Sequence, residues 1–261
     1  MGSHQENWFY RQLSSSAQRG AAWRIIGNQI VFSRVNITSW FGTFTNPFNV
    51  DQWDGYQANR NRSLQHLYEN NIGNNIMLAG DSHANWVSDL VWLDEANYDS
   101  ATGAGAVGVE FAGTAVTSSG FGGTIRSANN QSSLLVRDNE ELQWNEGYYR
   151  GYFELQVGYD AVNASYYGQS TFYYPGCEPA NVNVSGCPTV VTRNPYEIAL
   201  ANFTVHNGAN RLSRPIAGGS VQSGALQGRQ FFPNNITLNT QTGQYSHIGF
   251  DQMFLTYPRA S

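Results

Sequence analysis

Asp81 and His83 stand one residue apart at the end of a short apolar run, Asn75-Ile-Met-Leu-Ala-Gly80. A carboxylate and an imidazole at that spacing can face one point, and both ligate borderline or hard cations. An apolar run of this length closed by Gly reads as a buried strand. Open α/β sheets place their ligands at the carboxyl ends of such strands. The competing reading is a loop in which Asp81 caps a turn and His83 lies on the surface. D-x-H is short and common, so the pattern alone favours that competitor. Two donors also fall short of the three protein ligands that catalytic metal sites use.

Other chemistries find less support. No nucleophile elbow G-x-S-x-G occurs, and neither does H-E-x-x-H. Asp54, Asp81, Asp89 and Glu110 could meet as paired carboxylates, but their spacing does not argue for it. His4, His66, His206 and His247 lie in polar surroundings and read as surface residues. Cys177 and Cys187 sit close together and read as one disulfide in an oxidising compartment, which removes both as nucleophiles. N-x-[ST] triplets begin at Asn36, Asn61, Asn130, Asn163, Asn183, Asn202 and Asn235, candidate glycosylation sites that add weak support for secretion. Met1 to Arg11 lacks the apolar segment of a signal peptide. Secretory features without a leader create the expectation that the true beginning lies upstream, and that the protein is extracellular or in the secretory pathway.

The elements that must hold these residues follow from composition and period. A chain of 261 residues can bury a sizeable core. Its net charge of −5, with 13% charged residues, argues against a nucleic-acid-binding surface. All 14 basic residues are Arg, so no amine is present for a Schiff base or a P-loop contact. No run approaches the roughly 20 apolar residues of a membrane span. Ser3-x-x-Glu6 reads as a capping box opening a helix that ends near Arg19-Gly20. Ala22 to Ser33 reads as a buried strand, residues 34–55 as a long loop, and Gln57 to Asn71 as a helix. In that helix Leu64, Leu67 and Tyr68 point inward, and Arg60 and Arg62 outward. Helix–strand–helix–strand order implies a partly parallel sheet with helices packed on it. Val87 to Leu93 leans to helix, Ala106 to Phe111 to strand, and residues 127–146 to helical or irregular structure. The Ser/Thr/Gly stretch 113–123 matches no phosphate-loop fingerprint. From Tyr149 the period becomes two, which predicts antiparallel strands there, at 166–174 and at 197–205. Residues 206–261 read as a loose extension with one or two strands.

Leu78-Ala-Gly-Asp-Ser-His-Ala-Asn-Trp86 resembles the GDxHxxW stretch of the PhoD-type alkaline phosphatases, a metallophosphoesterase family. Gln5-Glu-Asn-Trp8, Trp23-Arg-Ile-Ile-Gly-Asn-Gln29 and Trp53-Asp-Gly-Tyr56 resemble the family's upstream blocks. Gly108 to Ser118 and Tyr149-Arg-Gly-Tyr-Phe153 resemble its downstream ones. The blocks keep their order over residues 5–157, and residues 158–261 carry less of the resemblance.

The resemblance implies hydrolysis of phosphate mono- and diesters at an iron and calcium site, with Asp81 and His83 on metal-ligand positions. It implies an incomplete α/β metallophosphoesterase β-sandwich flanked by helices, with an antiparallel β-rich C-terminal part. Residues 1–157 would be the C-terminal part of the catalytic domain, and 158–261 its loop-rich continuation. The family's earlier ligands belong to an N-terminal half with no counterpart here. The expectation is therefore half of a site, with weak metal binding or none. An open sheet edge would then invite self-association or pairing with the missing half. The alternative is a catalytically silent structural or binding module.

Overall fold

The apolar period changes along the chain, and the observed elements change with it. The computed structural model describes residues 1–41, 47–93, 95–116, 118–121, 125–169, 197–216, 224–227, 237–239 and 244–246. In chain order these form α1 (Ser3–Gln18), β1 (Arg24–Gly27), α2 (Thr38–Phe41), a 3-10 turn (Trp53–Tyr56), α3 (Gln57–Glu69), β2 (Asn75–Ala79), β3 (Asn85–Leu90) and β4 (Gly108–Ala112). Then follow α4 (Ile125–Asp138), β5 (Leu142–Glu146), β6 (Arg150–Val157), β7 (Ala161–Gln169), β8 (Glu197–His206), β9 (Ala225–Leu226), β10 (Thr237–Asn239) and β11 (Gln244–Ser246).

One mixed sheet has the order β1-β2-β4-β3-β5-β9. Its first three strands run parallel, and β3 runs against both β4 and β5. A second, antiparallel sheet has the order β6-β7-β8, and β10 pairs with β11. Strand alternation sorts side chains between two layers. Ile76, Val87, Val109, Phe111 and Trp144 of the large sheet share one core with Val162, Ala164, Tyr166, Leu200 and Phe203 of the small one. The ring of Trp144 lies 5.1 Å from Tyr166 and 5.5 Å from Phe203. On the opposite face Met77 and Leu90 pack with Leu13 of α1 and with Leu64 and Leu67 of α3. Ala79, Trp86 and Ala112 pack there with Leu135 and Val136 of α4.

The structure corrects several expectations. Residues 87–90 belong to strand β3, not a helix: every residue of β3 is buried, and partners on both edges decide a run that has no period of its own. The expected strand 22–33 stops at Gly27, because Glu110 of β4 takes the Phe32 and Ser33 amides at 2.6 and 2.9 Å. Ser3 caps nothing, since Gly2 holds the N-cap position without a side-chain bond. Glu6 instead ties α1 to α3, accepting from Tyr10, Asn59 and Arg62. In α3, Tyr68 is 48% exposed while Arg60 is buried. Arg60 turns inward because Asp54, in the preceding turn, places a buried carboxylate 2.6 Å from it. His66 is half-buried rather than superficial, stacked on Tyr10 at 4.7 Å with Nε2 2.9 Å from Ser14 Oγ. Residues 127–146 resolve into most of α4 and all of β5.

Candidate functional site

The carboxyl ends of β1, β2 and β4 lie along one edge of the large sheet, and the end of β5 joins them. Between β2 and β3 the chain must cross the end of β4, since β4 separates the two strands in the sheet. It crosses in a tight corner, Gly80 to Ala84. Ser82 N bonds back to Gly80 O at 2.8 Å around Asp81, whose φ is +67°. That pairing marks a γ-turn with positive φ, a strained form for a residue carrying a Cβ. His83 follows with φ +58°. Two non-glycine residues in the left-handed region within three positions store strain of about 1–3 kcal/mol each. Both side chains are exposed at the sheet edge, so the corner presents them outward while its backbone is fixed from behind.

A polar network does the fixing. Trp86 Nε1 donates to Ser82 Oγ at 2.7 Å. The amide of Thr114, just past β4, donates to Asn85 Oδ1 at 2.9 Å, and the Thr114 hydroxyl lies 3.2 Å from His83 O. Asn85 Nδ2 donates to Glu146 Oε2 at 3.1 Å, while Glu146 Oε1 takes the Tyr148 and Tyr149 amides at 2.6 and 3.0 Å. Arg150 Nη1 donates to His83 O at 3.0 Å. Burial pulls the Arg150 guanidinium below its ordinary range, opposed by the charge of Glu146, yet Arg stays a cation in proteins.

The structure leaves Asp81 and His83 exposed on one corner and gives each remaining carboxylate partners of its own. Asp54 gives one oxygen to Arg60 and the other to Val35 N at 3.0 Å. Asp89 gives one to Leu212 N and the other to Arg214 and Tyr98. Glu110 gives both to Phe32 and Ser33. Burial raises all three carboxyls above their usual range, and these partners pull the other way. These are scaffold groups, and no glycosidase-like pair forms among them. Asp54 joins α3 to the 28–37 segment, so the Trp53-Asp54-Gly55-Tyr56 stretch has a structural role.

Among the described residues no three His, Cys, Asp or Glu side chains gather as a metal-binding group. Asp81 and His83 stand exposed on that corner and carry donor types that can ligate a cation. Of the sequons, Asn61, Asn130 and Asn202 are exposed. Asn36 and Asn163 are half-buried, with their Oδ1 atoms accepting from Thr38 N and Thr204 Oγ1. Cys177, Cys187, Asn183, Asn235 and His247 lie outside the described residues. Sequence reasoning missed Thr114, Glu146 and Arg150 as supports of the corner. Their partners are 31, 61 and 67 residues away, and no local pattern announces such contacts.

Among the described residues no helix is long and apolar enough to cross a membrane. Comparison with known proteins matches the corner and its scaffold together. A PhoD-like phosphatase family model covers residues 1–166. Alkaline phosphatase D of Bacillus subtilis (strain 168) is 30% identical over 240 residues, covering 90% of this chain and 35% of that protein. A solved structure of PhoD superposes with a TM-score of 0.62 at 27% identity, covering 88% of this chain and 38% of the other. The chain thus spans about a third of the length of the relatives it matches. With the family model spanning more than half of its residues, the chain belongs to the PhoD-like phosphatase family.

Proposed function

We propose that this chain is the C-terminal part of the catalytic domain of a metal-dependent phosphatase hydrolysing phosphate mono- and diesters. Residues 1–157 are assigned to that domain, as the second half of a metallophosphoesterase sandwich, and 158–261 to its continuation. The observation that carries the reading is the Asp81–His83 corner, held in left-handed backbone at the carboxyl edge of the sheet. Strain of that kind persists where surrounding structure over-determines it, and it clusters at functional sites.

The proposed metals are iron and calcium. His83 supplies an imidazole nitrogen, which suits iron, and Asp81 supplies oxygens, which suit either ion. A bound cation would polarise a phosphoryl oxygen and make a nucleophile of its water at neutral pH. Asp81 and His83 would be among the residues that hold that ion. The remaining donors are assigned to the portion of the relatives' length that this chain does not span. Sequons exposed at Asn61, Asn130 and Asn202 support an extracellular or secretory location.

A second reading is a catalytically silent module that pairs with another chain or with itself; it is compatible with no three His, Cys, Asp or Glu side chains gathering among the described residues. Hydrolysis of a chromogenic phosphomonoester and phosphodiester, with iron and calcium supplied, separates the two. Turnover that disappears in Asp81→Asn supports the phosphatase reading for this chain. Absence of turnover at full metal loading overturns autonomous catalysis and leaves the silent module.

A further inference from the structure

Arg150 is 0% exposed, and among the described residues its guanidinium donates to main-chain carbonyls. Nη1 donates to His83 O at 3.0 Å and to Ser118 O at 2.8 Å. Nη2 donates to Gly147 O at 3.2 Å and, at longer range, to Tyr148 O at 3.4 Å. These carbonyls come from the β2–β3 corner, the loop after β4 and the β5–β6 turn. A buried cation is costly to desolvate, and a shorter neutral donor could satisfy one such carbonyl. Only a planar fork with several N–H groups reaches all three segments at once.

We infer that Arg150 is a positioning residue for the Asp81–His83 pair. It locks the His83 carbonyl, and with it the left-handed backbone that aims the imidazole, to the Ser/Thr/Gly loop beside the site. Two further observations agree. Thr114 Oγ1 lies near both His83 O and Tyr149 O, at 3.2 and 3.1 Å, but its one proton serves only one of them at a time. Arg150 is therefore the constant donor. Gly120 closes the loop against the guanidinium, and a Cβ there would lie 2.1 Å from Nη2 and 2.3 Å from Gly147 O. The loop is thus shaped around Arg150, not merely near it.

This inference rests on the metal-ligand role proposed for Asp81 and His83, and its test separates the two. The isotope-labelled full chain is titrated with Mn2+, and paramagnetic broadening of the His83 imidazole is followed by NMR. The variants are Arg150→Lys, Thr114→Val and Arg24→Met. Arg24 is a buried guanidinium at the opposite end of the sheet, bonded to Gly73 O, and it controls for lost stability. Arg150→Lys is expected to weaken Mn2+ binding at His83 by about 10- to 100-fold, the usual cost of losing an outer-shell support. Thr114→Val shifts it less in the same direction, and carries the test if Arg150→Lys does not fold. Arg24→Met leaves it within about twofold, as for independent sites. Unchanged affinity in folded Arg150→Lys, or in Thr114→Val if it alone folds, overturns the positioning role. So does an equal loss in Arg24→Met. If Mn2+ leaves His83 of the wild type untouched, the metal role fails instead. Backbone shifts of Asp81–Ala84 then decide for Arg150: left-handed values retained in Arg150→Lys overturn its role, and their loss supports it.

Discussion

Replacing Arg60 by Leu tests whether Asp54 is part of the scaffold. The two side chains are 5% and 0% exposed and meet at 2.6 Å. At an effective dielectric of about 20 their attraction is roughly 6 kcal/mol. Desolvation costs several kcal/mol per ion, so the intact pair adds little net stability. Removing one partner is different, because Asp54 is left buried without its guanidinium, with Val35 N still donating to it. The expected cost of Arg60→Leu at pH 7 is about 3–5 kcal/mol. The double variant Asp54→Leu/Arg60→Leu is expected to be less destabilised than the two single losses summed, by at least about 1 kcal/mol. A pH signature follows. Burial already raises the Asp54 carboxyl above its ordinary value, and without Arg60 it rises further. A carboxyl raised in the folded state costs stability as pH climbs from about 4 through the raised value. The deficit of Arg60→Leu against the wild type therefore grows with pH over that window and shrinks toward pH 4. Urea unfolding across the window measures it. Additive single losses, or a deficit indifferent to pH, would refute the reasoning.

Three further outcomes are expected. Asp81→Gly removes a proposed ligand but relieves a φ of +67°, so it raises stability by up to about 1 kcal/mol, or roughly 2–4 °C in Tm, while abolishing metal binding; a lowered Tm would contradict the strained corner. Glu6 is held down to about 2 by the Arg62 guanidinium, helped by Tyr10 and opposed by partial desolvation. Its contribution is present above about pH 4.5 and lost as pH falls through 2, so Glu6→Gln loses about 1 kcal/mol at pH 7, after screening at half-exposed Arg62, and only a small part of that at pH 2; urea unfolding at the two pH values reads this. Trp144→Ala, at the junction of the two sheets, costs about 3–5 kcal/mol and lowers the unfolding midpoint of both sheets together; two separate transitions by hydrogen exchange would show that the sheets do not share a core.

Much of this frame was legible in the sequence where period and punctuation are local. The run to Gly80 marked β2, and strict alternation from Tyr149 marked β6 and its partners. The corner was legible as two metal-binding residue types, but its geometry was not, because positive φ at Asp and His has no local signal. β3 misled because burial on both faces erases alternation. The buried polar network was the least legible part. Glu110 serves an amide 78 residues earlier, and Asp89 pairs with an Arg 125 residues later. Such pairs are set by sheet order, so Arg60 read as outward-facing and Arg150 drew no functional reading.

Anomalous diffraction at the iron edge, from crystals of this chain grown with iron and calcium, tests the central claim most directly. The expected result is a peak bridging the Asp81 carboxylate and the His83 imidazole, absent from Asp81→Asn crystals. A peak elsewhere, or one that survives Asp81→Asn, would contradict the assignment of this corner as the metal-binding part of the site.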